Sequence, residues 1–156
     1  MTDEIVIEAA TDADAGALLV VQRSAYVSEA QRYGDPFIPP LIETLDEVCA
    51  AIGAGGVLVA RLGARLVGSV RWRLEDGVCH VGRLSVAGDL QGRQIGSRLL
   101  SEVERRAGEA RSYTLFTGAD SPANIRLYER HGYRSTHVQR LNDKVSFVHM
   151  TKSVGA

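Results

Sequence analysis

Gln91-Gly92-Arg93-Gln94-Ile95-Gly96 lies where an apolar run gives way to helical periodicity. A loop that leaves a strand and opens a helix points unpaired N–H groups and the positive end of the helix dipole in one direction. Such a junction suits a phosphate or pyrophosphate. No Lys-Ser/Thr pair follows the glycines, so the stretch is not a nucleoside triphosphate loop. The other Gly-rich stretch, Gly53–Leu58, follows a helical pattern and has Leu58 where a dinucleotide fingerprint needs its third glycine, so it reads as a turn. On spacing alone, a plain strand-to-helix turn with glycines for steric reasons explains Gly92 and Gly96 equally well. His80 is the second candidate for chemistry. It stands four residues before Leu84 on one strand, which puts both side chains on one face, and a neutral imidazole of reference pKa about 6.5 can accept a proton. A sheet-face histidine beside the Asp76-Gly77 turn is the plainer reading. His131 reads as a helix-end residue meeting the dipole, and His137 and His149 as strand residues without an identifiable partner.

The elements that must position these residues follow from periodicity and breakers. Ile5–Ala9 reads as a strand, and Thr11 or Asp12 caps a helix predicted through Val27 with Ala17, Leu18, Val21 and Ala25 inward. A loop containing Pro36, Pro39 and Pro40 leads to a helix from about Thr44 or Asp46 to Gly53. A meander follows: strands 56–62, 65–75 and 78–86, with turns at Gly63-Ala64 and Asp76-Gly77. The spacing of Ile95, Leu99, Leu100, Val103 and Ala107 predicts a helix over 94–107. Tyr113–Thr117 is a strand, Ser121-Pro122 caps and opens a helix to His131, and 133–137 and 145–152 are closing strands. The expected fold class is α/β (α+β): one domain over 1–156, a mixed, mostly antiparallel sheet of six to seven strands, and about four helices on its faces.

The loop, preceded by Leu84-Ser85-Val86, resembles the GNAT superfamily of N-acyltransferases, whose signature is a strand ending Leu-x-Val, a loop R/Q-G-x-G-x-G/A and a helix. Gln94 stands where that family usually has glycine. Ser121–Arg134 is similar to its second signature: Leu127, Tyr128, Gly132 and Tyr133 match, while Ser121 and Asn124 replace the usual Asn and Ala. The resemblance implies acetyl transfer from acetyl-CoA to a primary amine of a small molecule or peptide, by direct attack in a ternary complex. It implies splayed central strands forming a slot, with backbone of Leu84, Ser85 and Val86 pairing with the pantetheine arm. It implies that Gln91, Gly92, Arg93, Gln94, Ile95, Gly96 and Ser97 hold the pyrophosphate, and that Ser121 or Asn124 meets the arm. Tyr128 would protonate the leaving sulfur, and His80 matches the place where some members carry a glutamate base. A dimer is common among such relatives. The alternatives are an acyl-CoA-binding module without turnover and a structural subunit.

Acceptor recognition is expected from the irregular segment 26–41, with Tyr26, Tyr33, Asp35 and Phe37 as contacts, although Asp35 also reads as a turn residue before Pro36. The connection 140–144 would line the other wall. Trp72 is equally suited to core or substrate contact, and Arg93 and Arg98 to coenzyme A or plain solvation. The net charge of −1 over 156 residues argues against nucleic acid and anionic membrane as partners. Cys49 and Cys79 suit neither a disulfide framework nor a zinc site, so no metal is expected. The acidic N-terminus lacks the basic start of a signal peptide, and no run approaches a membrane span, so a cytoplasmic protein is expected.

Overall fold

The computed structural model describes residues 4–154; the first three residues of the acidic N-terminus lie outside it. Seven strands form one sheet in the order β1-β2-β3-β4-β5-β7-β6: β1 Ile5–Ala9, β2 Val57–Leu62, β3 Arg65–Glu75, β4 Val78–Val86, β5 Ser112–Gly118, β6 Arg134–Arg140 and β7 Ser146–Ser153. Five helices cover it: α1 Ala15–Tyr33, the single turn α2 Pro39–Ile42, α3 Leu45–Ala54, α4 Ile95–Arg106 and α5 Pro122–Arg130. Only β4 and β5 pair in parallel; all other neighbours are antiparallel.

Alternation along the strands divides the core in two. Leu58, Ala60, Cys79, Val81, Leu115 and Met150 pack with Ile95, Leu99, Leu100 and Val103 of α4. Val57, Val59 and Leu66 face the other way, onto Leu18 and Leu19 of α1 and Val48 and Ile52 of α3. The capping box at Thr44, in which Glu47 N–H donates to Thr44 Oγ1 at 3.2 Å, starts α3 where expected.

Helix α1 departs from the expected pattern. It begins after a 3-10 turn whose Thr11 N–H donates to the Asp14 carboxylate, and it stops only at Gly34, which takes a left-handed φ of 65°. Ala17 is exposed, and fully buried Gln22 occupies the inward stripe instead. A polar residue on the buried face breaks the apolar period, which is why the sequence understates the helix. Tyr26 and Tyr33, expected on an irregular segment, are therefore helical residues.

The centre of the sheet is open. β4 and β5 pair only at Val78↔Ser112, Cys79↔Tyr113 and His80↔Thr114. β4 then stays with β3 as far as Val86, while β5 continues with β7 to Gly118. The splay leaves the β5-facing edge of β4 beyond His80 without a strand partner among the described residues.

Candidate functional site

The slot opens between these diverging strands. Ala87 N–H donates to the Val67 carbonyl at 2.8 Å, and polar groups alternate between the two edges of an antiparallel strand. Leu84 and Val86 thus direct their backbone groups into the slot, where the Val86 carbonyl accepts from Gln91 Nε2 at 3.3 Å. Ser85 does not contribute: its backbone faces β3, and its buried hydroxyl donates to the Arg83 carbonyl at 3.1 Å.

The loop at the mouth has the form expected of an anion site. From Gln91 to Ser97 no backbone N–H finds an acceptor among the described residues, and the first α4 bond runs from Arg98 N–H to the Gln94 carbonyl at 3.0 Å. Gln94 takes φ 62° and ψ 22°, the left-handed backbone a glycine would adopt. That conformation costs a side-chain-bearing residue about 1 kcal/mol. A Cβ on Gly92 would meet nothing within 4 Å, so its φ of 80°, not crowding, calls for glycine. Gly96 lies over the slot wall, where a Cβ would sit 3.7 Å from Val86 and 3.8 Å from Leu84. Gln91, Gly92, Arg93 and Gln94 are exposed and Ile95 is core. Ser97 Oγ lies 2.8 Å from His131 Nε2, tying the start of α4 to the end of α5, and burial pushes the His131 pKa down, favouring the neutral ring. Arg98 donates to the Ile5 carbonyl at 3.0 Å and so serves β1. A polar depression of about 590 Å³ along the outer side of α4, bordered by Gln94, Ser97, Arg98 and His131, adjoins this loop but lies outside the slot.

Tyr128 is buried on α5, edge-on to Tyr133 with ring centroids 6.0 Å apart. Its hydroxyl makes no hydrogen bond among the described residues. Burial, reinforced by nearby Tyr26 and Glu29, raises its pKa well above the ordinary phenol value, so the O–H keeps its proton. Asn124 is exposed on the same helix. Ser121 does not cap α5: its buried hydroxyl donates to Glu29 and accepts from Arg32 Nη1 at 3.2 Å, so it is committed away from the slot.

His80 is not where strand parity puts it. Between Ser69↔Ser85 and Arg71↔Gly82, β3 advances two residues and β4 three, a bulge centred on Arg83, whose φ is 53°. The extra residue inverts the alternation, so Leu84 and Val86 face α4 whereas His80 and Gly82 face the α1 side.

On that opposite side only one of the four expected acceptor contacts borders the slot. Tyr26 is half-buried, and burial pushes its phenol up to about 12 against the opposing pull of the Arg83 and Arg71 charges. Tyr33 is a strut: its hydroxyl accepts from Asp120 N–H at 3.3 Å and presses on Gly118, where a Cβ would collide with it. Asp35 closes a turn by accepting Phe37 N–H at 2.9 Å, and Phe37 itself is 72% exposed. In the connection 140–144, Asn142 Oδ1 accepts from Lys144 and Val145 N–H at 2.8 and 2.9 Å, a self-contained turn. Trp72 packs against the core on the α4 side. His137 and His149 do have partners: their rings stack 4.4 Å apart.

No local pattern of residues marks the polar cluster that fills the α1 side. Glu43, nearly buried, accepts from Arg71 Nη1 at 2.8 Å, Arg71 Nη2 at 2.6 Å and Gln22 Nε2 at 2.9 Å. These hydrogen bonds and the Arg71 charge outweigh burial and hold its pKa below the usual carboxylate range. Gln22 also donates to the Pro40 carbonyl at 3.0 Å, so the cluster fastens α1, the α2 turn and β3 together. Arg83 Nε lies 3.7 Å from Glu43 Oε1.

An open central slot, a loop of unpaired amides at its mouth and a buried tyrosine beside it agree with what sequence comparison finds. The family described as Acetyltransferase (GNAT) domain matches residues 22–154, and the chain belongs to it. Among solved structures, the ribosomal-protein-S18-alanine N-acetyltransferase from Escherichia coli is similar with a TM-score of 0.81 at 14% identity, covering 98% of this chain and 96% of that one. The PaiA N-acetyltransferase from Thermoplasma acidophilum, solved with coenzyme A, gives 0.78 at 16% identity, covering 97% and 99%. An acetyltransferase from Salmonella typhimurium, solved with acetyl-CoA, gives 0.76 at 19% identity, covering 98% and 95%. At these identities the likeness is one of fold. No curated protein matches the sequence.

Proposed function

We propose that residues 1–156 form a single catalytic domain that transfers an acetyl group from acetyl-CoA to a primary amine. The observation that carries this reading is the continuity of two sets of backbone groups that no helix or strand pairs among the described residues: the N–H groups of 91–97 and the β4 edge at Leu84 and Val86, where only the Gln91 side chain reaches the Val86 carbonyl. The first set suits a pyrophosphate at a helix N-terminus, and the second an extended arm that pairs as an added strand. Gln91, Gly92, Arg93, Gln94, Ile95, Gly96 and Ser97 would hold the pyrophosphate mainly through backbone, so a side chain at Gln94 is compatible with binding.

In the reaction, the amine nitrogen attacks the thioester carbonyl carbon from the α1 side, the C–S bond breaks, and the amine's extra proton passes to solvent. The Tyr128 phenol supplies a proton to the departing sulfur and regains one from water. Burial keeps the phenol protonated, so a proton is present to be donated. His80 shares the amine's side, but β4 is still paired with β5 at His80↔Thr114, short of where the slot opens, so a water chain from the α1 side serves as the proton acceptor. Holding amine and thioester on opposite sides of one slot supplies the orientation that dominates such catalysis.

Titration of acetyl-CoA by calorimetry, followed by thiol release with an amine panel, tests the reading. Binding with turnover is expected. Absence of heat at millimolar acetyl-CoA overturns the donor site, and binding without thiol release from any amine leaves only a binding module.

A further inference from the structure

Of the three non-glycine residues with positive φ, only Arg83 lies inside a strand; Asp76 and Gln94 are in turn and loop. A left-handed residue in a strand persists only where the surrounding structure fixes it, and such positions concentrate at functional sites. The bulge fixes this one. It turns the Arg83 side chain onto the α1 side, beside exposed Gly82 and half-buried Tyr26, at the edge of the slot.

The charges on this side do not balance. Glu43 is saturated by Arg71 and Gln22, and Arg83 reaches it only through Nε at 3.7 Å. One carboxylate against two guanidinium groups leaves the cluster one positive charge in excess. Glu29 adds a second carboxylate on this side, but a third guanidinium is set beside it, Arg32, which donates to the same Ser121 hydroxyl that Glu29 accepts from. Among the described residues the Arg83 guanidinium makes no hydrogen bond, its Nε is buried, and its side chain is 27% exposed. A guanidinium held with its terminal nitrogens free presents the fork that matches a carboxylate or phosphonate.

We propose that Arg83 receives an acidic group of the acceptor, so that the preferred acceptors are amines carrying an anion, amino acids foremost, rather than polyamines or lysine side chains. The proposal rests on the acetyl-transfer reading and assigns its substrate class. The bulge makes the selection geometric: the residue that breaks the β4 alternation beside the thioester arm also anchors the far end of the amine.

The test uses matched acceptors: free amino acids, their uncharged amides, and glutamate amide, whose only acid is the side chain. Each is titrated by calorimetry into protein saturated with CoA, and kcat/KM is measured by thiol release. We expect the free amino acid to exceed its amide by about 10- to 100-fold in both readouts, as for a charge-assisted hydrogen bond lost. Glutamate amide distinguishes which carboxylate is read. Arg83→Gly, in which glycine accepts the left-handed backbone without strain, should bring the ratio of acid to amide close to one with the acetyl-CoA Kd within about threefold; Arg83→Lys should restore part of the preference. Equal use of acid and amide by the wild type overturns the proposal, as does an Arg83→Gly variant that keeps the preference. Failure of acetyl-CoA to bind overturns the transferase reading instead, and the separate titration shows which has failed.

Discussion

The two sides of the slot are built from different materials. On the α4 side the groups proposed to work are backbone: amides of 91–97 and the strand edge at Leu84 and Val86, which no other strand pairs among the described residues. On the α1 side they are side chains, Gln22, Tyr26, Glu29, Glu43, Arg71 and Arg83, contributed by α1, the segment after α2, β3 and β4. A backbone site tolerates changes of side chain provided the dihedral angles survive, as Gln94 shows by taking a glycine's conformation. A side-chain site depends on each residue and can be retuned by single substitutions. That division suits an enzyme that keeps one donor and varies its acceptor.

The sharpest way to break this contrast is to remove a buried charge on the acceptor side. Glu43→Ala strands Arg71, and we expect a loss of about 3–5 kcal/mol in denaturant unfolding, as for a buried ion pair broken from one side. The pH dependence gives a second check. The Glu43 pKa is lowered in the folded state, so its contribution is complete above the unfolded value near 4.5 and is lost as pH falls through the folded one. The wild type should therefore lose stability on acidification below pH 4.5 more steeply than Glu43→Gln. Next in size, Tyr128→Phe should lower kcat by about 10²-fold or more with acetyl-CoA Kd unchanged. The shape of the pH–rate profile up to pH 9 should also stay the same, because the raised Tyr128 pKa keeps the phenol protonated throughout. An alkaline limb that disappears in the variant would mean that the phenol titrates within the working range, against the raised pKa.

On the backbone side the expected effects are smaller. Gln94→Gly should stabilise the fold by about 0.5–1 kcal/mol through relief of the left-handed strain, with acetyl-CoA affinity unchanged in calorimetry. A tenfold loss of affinity would mean that the Gln94 side chain, not only its amide, binds the donor. Smallest of all, His80→Ala should alter kcat/KM by less than about twofold, since β4 is still paired with β5 at His80, short of where the slot opens. Loss of the acidic limb of the rate profile in that variant would restore it as the base.

The residues alone made legible the order of strands and long helices, the strand–loop–helix over 84–97 and the placement of Tyr128 on α5. Periodicity, capping residues and glycines act within a few residues of one another, so their meaning is local. Thr44 was legible as a cap for the same reason, whereas the polar Gln22 on the inward stripe hid the last turns of α1, which run on to Gly34. Which way His80 faces depends on packing: the inserted residue at Arg83 appears in the sequence only as a three-residue step between Val81 and Leu84, and the pairing with β3 is what turns that step into an inverted face. The same holds for the convergence of Gln22, Glu43, Arg71 and Arg83, up to 61 residues apart, where charge partners are fixed by how α1 and the α2 turn lie across β3 and β4. Backbone chemistry is written in short stretches of chain, and side-chain chemistry in the packing that brings distant stretches together.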